Sequence, residues 1–293
     1  LAGVVREIDT LHLGRERVIA AHLVRGMIVD PGPASALEHW IDGLEEPPRA
    51  LLLTHIHLDH AGATGVLVRR FPELRVYVSE VGAPHLIDPS KLLVSAGRLY
   101  GEENMDRLWG EVAPVPEANV TALAGGEEVE GFRVEHTPGH AGHHLCWLDL
   151  ELGDAYVGDT AGVRIPPSEF TLAPTPPPEI DVEAWMRSID LIDGLAPERL
   201  RLTHFGSVDD PGAQLARMRA SLHRNAELAR EGDRDEFIAT LEREIAAAAD
   251  GDGAASFLQA LPPDQSWLGL ERYWRKRAER AADAATDGRR KAG

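Results

Sequence analysis

Residues 54–62 read Thr-His-Ile-His-Leu-Asp-His-Ala-Gly, and no other stretch constrains the chain as strongly. Alternate side chains of extended backbone share a face, so His55 and His57 project together while Ile56 points back into a core. Asp59 and His60 follow after the chain turns and can face a second position beside the first. Imidazole and carboxylate together suit zinc, iron or manganese, and two ions about 3.5–4 Å apart can hold one hydroxide between them. A lone histidine is ordinarily a hydrogen-bonded core or surface residue. Three histidines and an aspartate this close reverse that expectation.

Three distant segments supply what the run lacks. Thr137-Pro138-Gly139-His140 closes an apolar stretch in a tight turn, where Pro and Gly set the geometry that aims His140. Ala155–Gly158 reads as a strand delivering Asp159, and Leu200–Thr203 as a strand delivering His204. Each of these residues lies just past a strand, on a loop at a sheet edge, where a rigid scaffold places binding groups.

In this order the segments resemble the metallo-β-lactamase superfamily, in the H-x-H-x-D-H branch that includes glyoxalase II and lactonases. The resemblance spans roughly residues 15–210 and includes a Val29-Asp30-Pro31-Gly32 turn, where the family commonly has an Asp-Gly turn beneath the metals. It implies a four-layered αββα sandwich. It also implies that His55, His57 and His140 hold one metal, that Asp59, His60 and His204 hold a second, and that Asp159 bridges them. Cys146, the only cysteine, follows His144 inside an apolar strand rather than at the bridging position, which disfavours the lactamase class with a cysteine ligand. His144 is a supporting residue in this reading.

The activity implied is that of a binuclear hydrolase, with zinc first and iron or manganese as alternatives. A hydroxide bridging the metals attacks a small ester, thioester or lactone, with Asp59 orienting it. The alternatives are a phosphodiesterase of the same fold and a mononuclear iron enzyme of the sulfur-dioxygenase kind, built on His55, His140 and Asp159. The basic and tyrosine anchor by which glyoxalase II holds glutathione has no counterpart after Asp159, where the chain reads Arg164-Ile165-Pro166-Pro167-Ser168-Glu169-Phe170.

The 293 residues divide by expectation into a catalytic part, 1–210, with a helical insertion at about 84–118, and a helical extension, 211–293. Arg17–Val29 reads as two strands, Ala34–Leu44 as a short helix, Arg49–Leu53 as a buried strand and Ala61–Arg70 as a helix. In the insertion Leu92, Leu93, Ala96, Leu99 and Tyr100 recur at helical spacing until Gly101, and a shorter segment carries Met105, Leu108 and Trp109. This insertion packs an apolar face on the core or walls a substrate cavity through Tyr100 and Trp109. Six prolines within 166–178 dictate a rigid loop and a candidate cavity rim, with Arg164 the nearest cation in sequence. Helical periodicity beyond His204 marks three helices, one with Leu215, Met218 and Leu222, one opened by Asp233 and one with Leu270 and Tyr273.

A net charge of −18 disfavours a nucleic-acid partner. The basic cluster of Arg272, Arg275, Lys276, Arg277 and Arg280 alternates with Glu271 and Glu279 as a solvated helix face would. A single cysteine, the lack of a membrane-length apolar run and an N-terminus without a secretion pattern lead to the expectation of a cytoplasmic enzyme acting on a small molecule, away from membranes. The oligomeric state is open.

Overall fold

The computed structural model describes residues 4–291. Residues 1–3, part of the segment read for a secretion pattern, lie outside them. Among the described residues no helix is long and apolar enough to cross a membrane.

The strands form two six-stranded sheets. The first runs in spatial order β1 (Arg6–Asp9), β2 (Ala20–Val24), β3 (Met27–Val29), β4 (Ala50–Leu52), β5 (Arg75–Ser79), β6 (Val120–Leu123). Its first three strands pair antiparallel and its last four parallel. The second sheet runs from β7 (Glu128–Val129) through β8 (Phe132–His136), β9 (Leu145–Asp149), β10 (Asp154–Gly158) and β11 (Arg199–Leu202) to β12 (Gly206–Val208). In it only β10 and β11 pair parallel.

The alternation along each strand explains the layering. In β3 to β5, Met27, Val29, Ala50, Leu52 and Tyr77 face one way and join Phe132, Val134, Leu145, Trp147 and Tyr156 of the second sheet in a core between the sheets. The intervening Ile28, Leu51, Val76 and Val78 face out and pack under helices. Strands covered on both sides read as continuous apolar runs, which is why Ala50–Leu53 carries no polar residue. On the far side of the second sheet, Ala155, Val157, Leu200 and Leu202 meet α6 (Val182–Gly194) and the C-terminal helices. The result is the αββα sandwich, with long helices appended.

Three elements differ from the sequence expectation. The helix placed at Ala61 begins earlier, as the single turn α1 (Leu58–Ala61), and resumes as α2 (Thr64–Arg70). Asp59 and His60 therefore lie inside a helical turn with His57 at its N-cap position, not ahead of it. Ala34–Leu44 is not an α-helix; it folds as two tight 3-10 segments, Ala34–His39 and Ile41–Gly43. Beyond His204 there are four described helices: α7 (Pro211–Glu231), α8 (Arg234–Ala248), α9 (Gly251–Ala260) and α10 (Pro263–Lys291). The unexpected one, α9, overcomes its two glycines because Asp250 caps it by accepting from the Gly253 N–H, and because it buries Phe257. Asp233 caps α8 in the same way.

Between β5 and β6 the chain forms α3 (Ala83–Ile87), α4 (Ser90–Tyr100) and α5 (Met105–Trp109). Gly101, at φ 84°, ends α4. Ala96 and Trp109 pack with Leu58 of the histidine loop, alongside Leu92, Tyr100, Met105 and Leu108. This small satellite core fastens the segment over the end of the sandwich where the strands deliver the histidines.

Candidate metal centre

The site residues follow the C-terminal ends of strands, Asp59 and His60 through the helical turn α1. Leu53-Thr54 carries β4 into His55 and His57, β8 leads to His140, β10 to Asp159 and β11 to His204. The two sheets are tied together at this edge: the Leu145 N–H donates to the Thr54 carbonyl at 2.7 Å, and Trp147 Nε1–H to the Leu53 carbonyl at 3.1 Å. Strands from both sheets therefore deliver ligand-type side chains into one space.

Two groups result. Donor atoms of His55, His57, His140 and Asp159 lie within 4.8 Å of one another, as do those of Asp59, His60 and His204. Asp159 stands between them: Oδ2 is 3.1 Å from His140 Nε2, and Oδ1 is 3.4 Å from His60 Nε2 and 3.6 Å from His204 Nε2. Asp59 Oδ2 is 3.2 Å from His204 Nε2. All seven residues singled out in the sequence converge here.

The far sides of three of the rings are held by fixed partners. His140 Nδ1–H donates to the Pro174 carbonyl at 2.9 Å and His204 Nδ1–H to the Val18 carbonyl at 2.6 Å. Asp30 does the same for His60, accepting from Nδ1 at 2.8 Å. The Asp30 carboxylate, fully buried, also accepts from the Thr54 N–H at 2.8 Å, the Thr54 hydroxyl at 2.6 Å and the Thr203 hydroxyl at 2.9 Å. Such outer bonds fix tautomer and ring orientation and leave the opposite nitrogen to face the centre. His144 supports from behind, with Nε2 accepting from the Asp159 N–H at 3.3 Å and Nδ1 beside the hydroxyls of Thr137 and Thr160. Gly158 allows that approach. Its φ is 46°, and a Cβ there would stand 2.5 Å from Thr54 Oγ1 and 2.7 Å from His144 Nε2.

The donor set fits metal ions. His57 Nδ1 lies 3.0 Å from His55 Nε2 and 2.9 Å from His140 Nε2. Three imidazole nitrogens converging on one point cannot all be satisfied by a single shared proton, whereas a cation takes all three lone pairs. In the second group, His60 Nε2 and Asp159 Oδ1 are buried without a hydrogen-bond partner, an arrangement that is costly unless something else occupies the space.

The electrostatics agree. Burial alone pushes the His60 pKa down, yet the carboxylates of Asp159, Asp59 and Asp30 outweigh it and hold the ring well above its ordinary value. Burial likewise pushes Asp59 and Asp159 up, and the surrounding histidines reverse this, leaving both carboxylates well below their usual range. His55 and His57 are pushed well down by burial and by each other's neighbours, so both stay neutral and keep lone pairs for coordination. Positive charge is favoured at the carboxylate-rich group and neutral donors at the other.

Two cavities flank the centre. A groove of about 240 Å³ touches His57 and is lined by Leu58, Leu92, Leu99, Tyr100, His143 and Pro176 among others. A smaller cavity of about 70 Å³ touches His57, Asp59, Asp159 and His204, and its walls include His12, Tyr100, Trp109, Gln259 and Gln265. Tyr100 thus lines both and Trp109 the smaller. The prolines at 174 and 176–178 form rims, while Arg164 lines neither cavity; its backbone pairs with His204 and Phe205. His12, Gln259 and Gln265 were not read from the sequence. The His12 ring stacks on Trp109 with centroids 5.5 Å apart and planes 8° off parallel. Gln259 is placed by donating Nε2–H to the His12 carbonyl at 2.8 Å.

Residues 16–204 match the family model described as the metallo-beta-lactamase superfamily, so the chain belongs to that superfamily. Both groups of candidate metal ligands fall within the matched residues. Among sequence relatives, a hydroxyacylglutathione hydrolase of Xylella fastidiosa (strain M12) is 34% identical over 137 residues, 46% of this chain and 41% of that protein. This chain therefore spans less than half the length of that relative. The metallo-beta-lactamase fold-containing protein ST1585 of Sulfurisphaera tokodaii is 29% identical over 166 residues, 54% of this chain and 60% of that protein. Among solved structures, the archaeal superfamily protein ST1585 from Sulfolobus tokodaii superposes with a TM-score of 0.69 at 22% identity, covering 92% of this chain and 98% of that one. A di-iron-bound form of TTHA1623 superposes with a TM-score of 0.51 at 24% identity, covering 73% and 92%.

Proposed function

We propose that the chain hydrolyses a small ester or thioester at a binuclear centre, with His55, His57 and His140 holding one ion, Asp59, His60 and His204 the other, and Asp159 reaching both. The observation that carries this reading is Asp159, with one carboxylate oxygen turned to each group. When bound, two divalent ions supply Lewis acidity toward a carbonyl and bring water within reach of deprotonation near neutral pH. Zinc is the first choice by donor type, and the di-iron form of TTHA1623 makes iron the comparison.

The chain's own residues do the rest. Asp59 is the more accessible of the two carboxylates, with its side chain 23% exposed against 5% for Asp159, and it borders the small cavity. It orients the attacking water and takes its proton. Tyr100 and Trp109 close the site from solvent, and burial together with the Asp59 and Asp159 charges raises the Tyr100 pKa, so its hydroxyl stays protonated and able to donate. Cavities of this size admit small molecules, and the −18 net charge repels long polyanions. At matched metal loading, kcat/KM is expected to be higher for an aryl ester, a thioester or a lactone than for bis-p-nitrophenyl phosphate. A clear preference for the phosphodiester refutes the reading.

A further inference from the structure

The two cavities differ too much in size and chemistry to be interchangeable. The small one has about 70 Å³. Its wall includes Trp109 and His12, whose Nε1 and Nδ1 atoms are buried without a hydrogen-bond partner. A space this small, with an unpartnered indole donor among its lining residues, suits a short group and leaves no room for a long apolar chain. The groove on the other side of His57 continues outward. A compartment of about 380 Å³ shares Ser95, Leu99, Pro177 and Pro178 with it and ends at Leu268, Arg98, Arg272 and Arg275.

That ending is unusual for a chain with a net charge of −18. The basic run on α10 read as a solvated face in the sequence, yet two of its arginines face Arg98 of α4 across this compartment. The Arg98 guanidinium has no ion pair or hydrogen bond among the described residues. Arg272 is held in place by donating Nε–H to the Pro178 carbonyl at 3.1 Å, which leaves its terminal nitrogens available. Arg275 is paired with Glu271 at 2.8 Å, and Glu271 also lines the compartment. Lys91 also lines the groove. The path from the centre is therefore lined mainly by apolar side chains, with His85, Lys91 and Glu179 among them, and at its end three arginines stand against one glutamate, Glu271.

We propose that the physiological substrate is a short-acyl thioester whose leaving group is a long thiol ending in phosphate, of the coenzyme A kind. The acyl part sits in the small cavity, the uncharged arm lies along Leu92, Leu99 and Pro177, and the phosphates meet Arg98 and Arg272. Guanidinium groups match phosphate oxygens in a fixed fork, and the two-compartment path suits a long arm better than a short tripeptide. This assignment rests on the hydrolase reading above. In the reaction, water's oxygen forms the new bond to the acyl carbon, the C–S bond breaks, one proton goes to the sulfur, and an acid and a thiol leave.

Two measurements on the metal-loaded full chain separate the assignment from the reading on which it rests. In calorimetry, free coenzyme A is expected to bind at least about tenfold more tightly than pantetheine, which shares the thiol arm but lacks the phosphates. The advantage should shrink with added salt and be lost in the Arg98→Glu/Arg272→Glu double variant. Equal binding of the two thiols, or an advantage that survives both charge reversals, overturns the assignment whatever the enzyme hydrolyses. In turnover, S-acetyl-coenzyme A should exceed S-acetylpantetheine, S-acetylglutathione and S-octanoyl-coenzyme A in kcat/KM. Preference for the glutathione ester or for the long acyl chain overturns it as well. If no thioester is cleaved while coenzyme A still binds through the arginines, the thioester substrate is overturned; if esters too are left uncut at full metal loading, the hydrolase reading falls with it.

Discussion

Replacing Asp30 by Asn tests how the fold and the centre are joined. The carboxylate is fully buried and accepts four hydrogen bonds, from the Thr54 N–H and hydroxyl, the Thr203 hydroxyl and His60 Nδ1. Asn has the same shape and tolerates the left-handed backbone that Asp30 adopts at φ 49°, so the change isolates charge and acceptor capacity. An amide offers one oxygen. With that oxygen placed to keep the three bonds made by Oδ2, its NH2 group is turned onto the Thr54 N–H, donor against donor. Losing a charged acceptor from a buried network costs about 3–5 kcal/mol. His60 also loses the charge that orients it, which weakens metal affinity by about 10–100-fold. Urea unfolding of the metal-free protein measures the first effect and a metal titration the second. A loss below about 1 kcal/mol with unchanged affinity would refute the argument that Asp30 braces both sheets and the His60 ring.

Asp59→Ala should lower kcat by about 10²–10⁴ with little change in substrate affinity, as steady-state kinetics at full metal loading would register; a normal kcat contradicts its role. Gly158→Ala should destabilise the fold by about 1–3 kcal/mol and weaken metal binding, because the new Cβ drives into Thr54 and His144; wild-type melting and affinity would count against the packing argument. His22 is buried, its Nε2–H donating to the Leu202 carbonyl, and burial pushes its pKa down to about 4. Below its ordinary pKa of about 6.5 the unfolded chain takes up a proton there that the fold refuses, so the stability due to this group is full above pH 6.5 and declines toward pH 4. Between pH 7.5 and 5 this amounts to about 2 kcal/mol in the metal-free protein. His22→Gln should flatten the pH slope by that amount, and an unchanged slope would show that other groups carry it.

Local chemistry was legible in the sequence where the information is local. The run from His55 to His60 carries its own spacing, Gly101 ends a helix by its backbone freedom, and the apolar runs at 50–53 and 155–158 announce strands covered on both faces. His140, Asp159 and His204 were legible as residues following strands, and their joint meaning came through the family resemblance. What stayed hidden depends on long-range approach. His12 sits in a tight 3-10 turn between Leu11 and Leu13, both at positive φ, and no neighbour in sequence marks it; only the stacked Trp109, 97 positions on, brings it to the cavity. Gln259 and Gln265 reach the site because α9 and α10 fold back against the N-terminal loop, where Arg15 Nε–H donates to Gln259 Oε1 at 3.0 Å. The glycines at 251 and 253 concealed α9, since propensity weighs against a helix that a cap and a buried phenylalanine sustain.

The central claim is that two metal ions share Asp159. Elemental analysis after equilibrium dialysis against zinc, and separately against iron, measures it directly. The account predicts two ions per chain in the wild type, one after His204→Ala, and loss of activity on chelation with the fold retained. One ion per wild-type chain, or full activity in protein shown to be metal-free, would contradict it.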